Sequence, residues 1–263
     1  MQDLIITIVQ TDLTWRDAEK NLQRFDRLID TISDQTDLII LPEMFTTGFA
    51  MEPELLAEEP KSKTFKWMLS KASERKCAVT GSYIVKEDGK YFNRLYFVLP
   101  SGESHTYDKR HLFRMAGEDR NFSPGSEKLV FTFKNWKICP LICYDLRFPV
   151  WSRNRFENGV YEYDLLIYVA NWPEIRNHAW NTLLKARAIE NQAYVAGVNR
   201  IGPDGKGIPH SGDSAVIDPW GTVITHTQAQ RESVETVRLD ASKLNSHRNS
   251  LAFGMDQDKF QIL

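Results

Sequence analysis

The chain has 263 residues, 42% hydrophobic and 26% charged, and its 33 basic and 35 acidic side chains leave a formal net charge of −2. That is the composition of a soluble chain long enough to bury a large core. With no Lys/Arg cluster interleaved with aromatics, nucleic acid is not expected as a partner.

The longest apolar runs, such as LIITIV and LLIYVA, fall far short of the roughly 18 residues that span a bilayer. The opening MQDLIITIVQ lacks a signal peptide's basic start, so a cytoplasmic protein with no membrane partner is expected. Glycine, proline and serine are spread along the sequence with no linker-like tract, which favours one domain over residues 1–263. Three cysteines, Cys77, Cys139 and Cys143, cannot all pair within one chain, and reduced thiols follow. No CxxC, HExxH or clustered-histidine signature is present. No metal site and no cofactor is therefore expected.

Residues 4 to 10 read as a buried strand, being short, isoleucine-rich and ended by polar residues. In TWRDAEKNLQRFDRLIDTIS, Ala18, Leu22, Phe25, Leu28, Ile29 and Ile32 recur at three- and four-residue steps, which makes one apolar stripe of a helix. DLIILPE follows as a strand stopped by Pro42, completing a β-α-β unit. A second helix is expected over about 62–76, and then CAVTGSYIV and YFNRLYFVLP flank KEDGK, an Asp-Gly hairpin turn. HTYDK, KLVFTF, WKICPLICYD and YDLLIYVAN read as further strands. HAWNTLLKARAIENQA is the clearest helix of the second half, followed by YVAGVNRIG and by SAVIDPWGTVI with its Pro-Trp-Gly turn. Residues from about 244 onward show no strong period and are expected to form a C-terminal arm. Helices alternating with short strands and hairpins imply mixed sheets covered by helices, an α/β (α+β) class.

Several strands end on a reactive side chain. LIILPE ends at Glu43, HTYDK at Lys109 and KICPLIC at Cys143, and carboxyl ends of strands in such sheets open onto the ligand crevice. Cys77 and Cys139 read as small buried hydrophobes. Cys143 differs because the apolar run stops there and LRFPVWSRNRFENG reads as a helix with Pro149 in its first turn. A thiol at that junction is expected to be favoured as thiolate by the helix's positive end. His105, His111, His178 and His210 offer no obvious Cys-His pair, which leaves Glu43 as a base. A glutamate after a proline is ordinarily solvated, yet this one directly follows a buried strand and precedes the apolar MFTTGF. Lys109, ordinarily a surface residue, would beside a carboxylate and a thiolate hold both charges.

With LPEMF, YDKRHLF and LICYDLRFP in this order, the chain resembles the nitrilase superfamily of carbon–nitrogen hydrolases, and the match extends through ITIVQTDLTW, VANWP, KARAIENQ and GDSAVIDPWG. The resemblance implies a four-layer α-β-β-α sandwich and a homodimer, with HAWNTLLKARAIENQA as a candidate interface. It implies Glu43 as general base, Lys109 as electrostatic stabiliser, Cys143 as nucleophile forming a thioester, and Glu118 in GEDRNFSPG as a second glutamate near the site. The Tyr144 backbone N–H would serve an oxyanion hole.

LPEMFTTGF, CYDLRFP and NWP look closest to the omega-amidase branch, which hydrolyses the terminal amide of 2-oxo dicarboxylate monoamides such as 2-oxoglutaramate and 2-oxosuccinamate. Such a small-molecule partner needs a clamp for its free carboxylate, and Arg147 and Arg114 are candidates, although Arg147 is equally placed to pair with Asp145. Phe45 and Trp172 are candidate pocket walls. A nitrilase, an N-carbamoyl hydrolase or another aliphatic amidase are the alternatives among enzymes. A non-catalytic binding protein of the same fold is the alternative outside them.

Overall fold

In the computed structural model, which describes residues 2–33 and 35–262, the first apolar run is strand β1 (Leu4–Gln10) and the apolar stripe is helix α1 (Ala18–Asp30). Asp17 caps α1 by accepting the Lys20 N–H at 3.0 Å, satisfying one of the donors a helix start leaves free. After β2 (Leu38–Ile40) come α2 (Pro53–Leu56) and α3 (Lys63–Arg75), then the hairpin of β3 (Ala78–Glu87) and β4 (Lys90–Val98). Its two turn residues, Asp88 and Gly89, sit at φ 50° and 73°, the left-handed pair a two-residue hairpin turn requires. Next are β5 (Ser104–Asp108), the single-turn α4 (Glu118–Asn121), β6 (Phe131–Phe133), β7 (Trp136–Ile142) and α5 (Pro149–Ser152). A minor hairpin of β8 (Phe156–Glu157) and β9 (Val160–Tyr161) precedes β10 (Leu165–Ala170), α6 (Asn177–Asn191) and β11 (Tyr194–Asn199). Finally come the hairpin β12 (Ile201–Pro203) and β13 (Pro209–Ser211), then β14 (Ala215–Ile217), β15 (Ser233–Leu239) and α7 (Ala241–Ser250).

Two mixed sheets result, one ordered β15-β1-β2-β3-β4-β5 and the other β14-β11-β10-β7-β6. Strand alternation decides which layer each residue joins. Leu4, Ile6, Ile8, Leu38, Ile40, Leu95 and Phe97 face the second sheet and form one buried cluster with Ile138, Leu141 and Leu165. Their neighbours Val9, Ile39, Val79, Tyr96 and Val98 face outward onto Leu22, Phe25 and Ile29 of α1 and Phe65, Met68 and Ala72 of α3. On the far side α6 lays Trp180 and Leu184 against β11, where a Cβ on Gly197 would lie 2.5 Å from Leu184 Cδ1; only glycine lets helix and sheet approach so closely. The layers are helix, sheet, sheet, helix, the expected α-β-β-α sandwich.

The structure departs from the sequence reading at the C-terminal side. Of the expected C-terminal arm from about 244, the part up to 250 belongs to α7 (241–250), which buries Leu244 and His247 and sends Arg248 to Asp164 Oδ1 at 2.5 Å. Only Ala241, Leu244 and His247 of its ten residues are buried, too few to print a periodic stripe. β15 was likewise not anticipated. It is an edge strand paired antiparallel with β1 from Leu4↔Leu239 to Gln10↔Ser233, and most of its side chains are half exposed, so it lacks a buried strand's aliphatic run. No helix among the described residues is long and apolar enough to cross a membrane.

Candidate active site

β2, β5 and β7 deliver three reactive groups to one end of the sandwich. Lys109 directly follows β5 and Cys143 directly follows β7, while Glu43 lies three residues beyond β2. Glu43 and Glu118 are fully buried and Lys109 is 1% exposed. The Lys109 ammonium lies 2.9 Å from Glu43 Oε1 and 3.0 and 2.9 Å from Glu118 Oε1 and Oε2, so its three N–H groups face three carboxylate oxygens. Removing one member of such a buried pair leaves an uncompensated charge and costs about 3–5 kcal/mol. Glu118 reaches this position because the loop that follows α4 presses on the strand end carrying Lys109. Gly125 N–H donates to the Lys109 carbonyl at 3.0 Å, and a Cβ on Gly125 would stand 2.2 Å from the Asp108 carbonyl oxygen. The Ser-Pro-Gly turn therefore has to end in glycine.

Two asparagines complete the cluster. Asn93 Nδ2 donates to Glu43 Oε1 at 2.8 Å and approaches Glu118 Oε1 at 3.4 Å. The Asn171 backbone N–H donates to Glu43 Oε2 at 2.8 Å, and the Phe113 N–H to Glu118 Oε2 at 2.6 Å. Both oxygens of Glu43 are thus engaged, which fixes its carboxylate plane. Burial and the nearby Glu43 charge push Glu118 up while Lys109 holds it down, with a net rise. Burial alone would lower the Lys109 pKa, but the two carboxylates and the thiol side raise it far above its ordinary value, so it stays a cation.

Cys143 is the first residue of a 3-10 turn, Cys143–Arg147, and has φ 43°, a left-handed conformation that costs an L residue about 1–2 kcal/mol. Met44, next to Glu43, is also left-handed at φ 42°. Strain at both loops is held by surrounding ties. Asp145, fully buried, accepts from the Ile142 N–H at 3.0 Å, the Tyr107 hydroxyl at 2.8 Å and the His111 N–H at 3.0 Å, with the His111 ring Nδ1 at 2.8 Å. It binds the turn after Cys143 to the loop after Lys109. The Tyr144 N–H, second in the turn, is among those a helix start leaves without an internal carbonyl, which suits it to an incoming oxyanion.

The surroundings of Cys143 act against the expected thiolate. Burial pushes the Cys143 thiol well above its usual range, Glu43 adds to the rise, and Lys109 offsets only part of it. The expected helix is also missing its length, since α5 is a single turn of four residues with little dipole to offer. Glu43 lies close enough to hydrogen-bond the thiol, and the sulfur also stands 4.0 Å from the Asn171 carbonyl.

Cys143 and Lys109 open into a pocket whose walls include Phe49, Phe113, Tyr144, Trp172 and Arg147. Trp172 is a wall as expected, with the Arg147 guanidinium 4.9 Å from its ring centre. Arg147 makes no pair with Asp145, whose oxygens are taken as described. Phe45 is a correction: fully buried, it packs edge-on to Phe25 at 5.5 Å and against Trp67 and Tyr83, on the helix side of the first sheet. Phe49 takes its place, its ring 5.0 Å from the Lys109 ammonium. Arg114 is the second correction, with a side chain 87% exposed, 3.9 Å from Asp119 and outside this pocket. Arg176 lines it instead, stacked 5.3 Å over Phe113. A roof comes from the β12–β13 hairpin, through Asp204, Lys206, Ile208 and His210. Burial and the nearby Arg200 push His210 down to about 4, so its ring is neutral and donates from Nδ1 to the Ile208 carbonyl at 2.9 Å. Arg176 and the hairpin carry no motif of their own. Asn93 had one available signal, a polar residue in the buried middle of a strand.

Among the described residues no group of three or more His, Cys, Asp or Glu side chains could hold a metal ion. The arrangement can do acyl transfer, with an acid–base carboxylate, a cation and a thiol meeting at the floor of a pocket.

Comparison with known proteins agrees with this chemistry. The chain is 43% identical to "Omega-amidase YafV" of Escherichia coli over 262 residues, covering all of both chains. It is 32% identical to the 2-oxoglutaramate amidase of Bacillus subtilis over 251 residues, 94% of each. A solved CN-hydrolase superfamily protein from Xanthomonas campestris, with an arsenic adduct in its active site, superposes at a TM-score of 0.97 with 42% identity and full coverage of both chains. The Carbon-nitrogen hydrolase model matches residues 5–249, from β1 through most of α7, and the chain accordingly belongs to the carbon-nitrogen hydrolase family.

Proposed function

We propose that the protein is an omega-amidase, hydrolysing the terminal amide of small 2-oxo dicarboxylate monoamides such as 2-oxoglutaramate and 2-oxosuccinamate to the acid and ammonia. The observation that carries the chemistry is the single buried cluster of Glu43, Lys109 and Glu118 beside Cys143 at the floor of a pocket. Glu43 takes the Cys143 proton as sulfur attacks the amide carbon. The developing oxyanion is met by the Tyr144 N–H and by the Lys109 charge, an N–H passing to it from Glu118 as the negative charge appears. Protonated Glu43 then gives its proton to the leaving nitrogen, so ammonia departs and a thioester remains. Water, deprotonated by Glu43, splits the thioester and returns the thiol.

The substrate reading rests on the names of the relatives and on the pocket's rim. Arg147 and Arg176 face the opening with aromatic rings behind them and no carboxylate bound to either guanidinium among the described residues, as a clamp for the far carboxylate of a monoamide requires. Ammonia release measured against a panel of 2-oxo monoamides, neutral amides, nitriles and N-carbamoyl amino acids tests the reading. Highest kcat/KM for the 2-oxo monoamides is expected, and a preference for nitriles or N-carbamoyl compounds would overturn it.

The protein is read as a cytoplasmic homodimer. All three cysteines are unpaired, as in a reducing compartment, and Val150 of α5 and Ile189 of α6 are more than half exposed on helices suited to meeting a second copy.

A further inference from the structure

Two fully buried carboxyl groups share one ammonium in this site, and no second cation among the described residues pairs with either. The group that stands where a second cation would is Asn93, 1% exposed, on β4 opposite Ile84 of β3. Its backbone carbonyl accepts the Lys109 backbone N–H at 3.0 Å, and its Nδ2 reaches Glu43 and Glu118 at the distances given above, so one residue touches both carboxylates and the backbone that carries the ammonium. Its Oδ1 is buried without a hydrogen-bond partner, a loss worth about 1–3 kcal/mol. Turning the amide over would set an acceptor against carboxylate oxygens. The fold therefore tolerates an orphan acceptor in order to keep the N–H side on the two glutamates.

We propose that Asn93 is a positioning residue for the proton transfer, holding Glu43 Oε1 in register with Lys109 so that the carboxylate presents a fixed edge to Cys143. An asparagine does this with a neutral dipole. A second ammonium at the same point would neutralise the pair and weaken Glu43 as a base. The proposal rests on the reading of Glu43 as the general base, and Asn93 acts only through it.

The test is the pH profile of ammonia release for Asn93→Ala beside Glu43→Gln. A hydrogen bond to the charged form lowers a carboxylic acid's pKa, so losing the Asn93 donor moves the acidic limb of kcat/KM to higher pH. With it, kcat is expected to fall about 10- to 100-fold with KM within about threefold, the scale of a misplaced catalytic group. Near-isosteric Asn93→Asp keeps the volume should the alanine variant fold poorly, and its added charge moves the limb further in the same direction. A purely structural role would lower melting temperature and active fraction without moving the limb. An unmoved limb, or kcat within about threefold of the parent in both variants, overturns the proposal. A Glu43→Gln variant with full turnover overturns the base reading itself, so the two failures are separable.

Discussion

The floor and the rim of the pocket are built on opposite terms. At the floor every carboxylate oxygen of Glu43 and Glu118 has a partner within the protein, from Lys109, Asn93 and the Asn171 and Phe113 N–H groups. At the rim, Arg147 and Arg176 lie against aromatic rings rather than acids, and the hairpin roof is held from behind by buried Arg200, which donates to Asp12 Oδ1 at 2.5 Å and to the Pro203 carbonyl at 2.8 Å. Saturated groups are held in place before the reaction begins, which suits bond making and breaking. Groups left with spare donors can take an incoming molecule. Chemistry is thus fixed inside and selection is left at the opening.

Substitutions at the two levels should separate accordingly, and the largest effect belongs to the floor. Cys143→Ala is expected to abolish ammonia release, a loss of at least about 10⁴-fold on the scale of removed nucleophiles, while the melting temperature by differential scanning calorimetry changes little. Next, Glu43→Gln should cost about 10²- to 10⁴-fold in kcat. It should also make the thiol titrate lower, because the carboxylate charge that helps raise Cys143 is gone while Lys109 remains; iodoacetamide labelling at neutral pH should therefore be faster than in the parent, and slower labelling would mean the thiol is not governed by this pair. At the rim, Arg147→Ala and Arg176→Ala should each raise KM for an anionic monoamide about tenfold, some 1.4 kcal/mol, with kcat and the KM of a neutral amide nearly unchanged. A loss of kcat from a rim variant would blur the division of labour. Smallest of all, Arg114→Ala should leave steady-state rates within about twofold, since its side chain lies in solvent outside the pocket.

Much of the floor is legible in the sequence because Glu43, Lys109 and Cys143 each follow a strand, whereas Glu118, in the single turn α4, is signalled only by the family resemblance. LPE, YDK and LICYD each set a reactive side chain at or just past a strand end, and the folded positions of Glu43, Lys109 and Cys143 follow from β2, β5 and β7 of the two sheets ending at the same edge of the sandwich. The rim is less legible. Arg176 and the β12–β13 hairpin reach the pocket through a crossing of loops that no local period encodes, and Phe45 and Phe49, both aromatic in one short segment, differ only in which side of the first sheet the loop turns them toward. The forces on the Cys143 thiol are hidden for a related reason: proximity to a helix start can be read along the chain, but burial and the charge of a residue one hundred positions away cannot. Edge strand β15 and helix α7 escape because half-exposed elements need few apolar residues.

The left-handed backbone at Cys143 sets stability and reactivity against each other. Glycine is the residue that conformation favours, and glycine has no sulfur. Selection for a tougher fold at this position would thus drift toward an inert protein, and a variant chosen by thermal screening alone would risk losing the very atom the pocket exists to present.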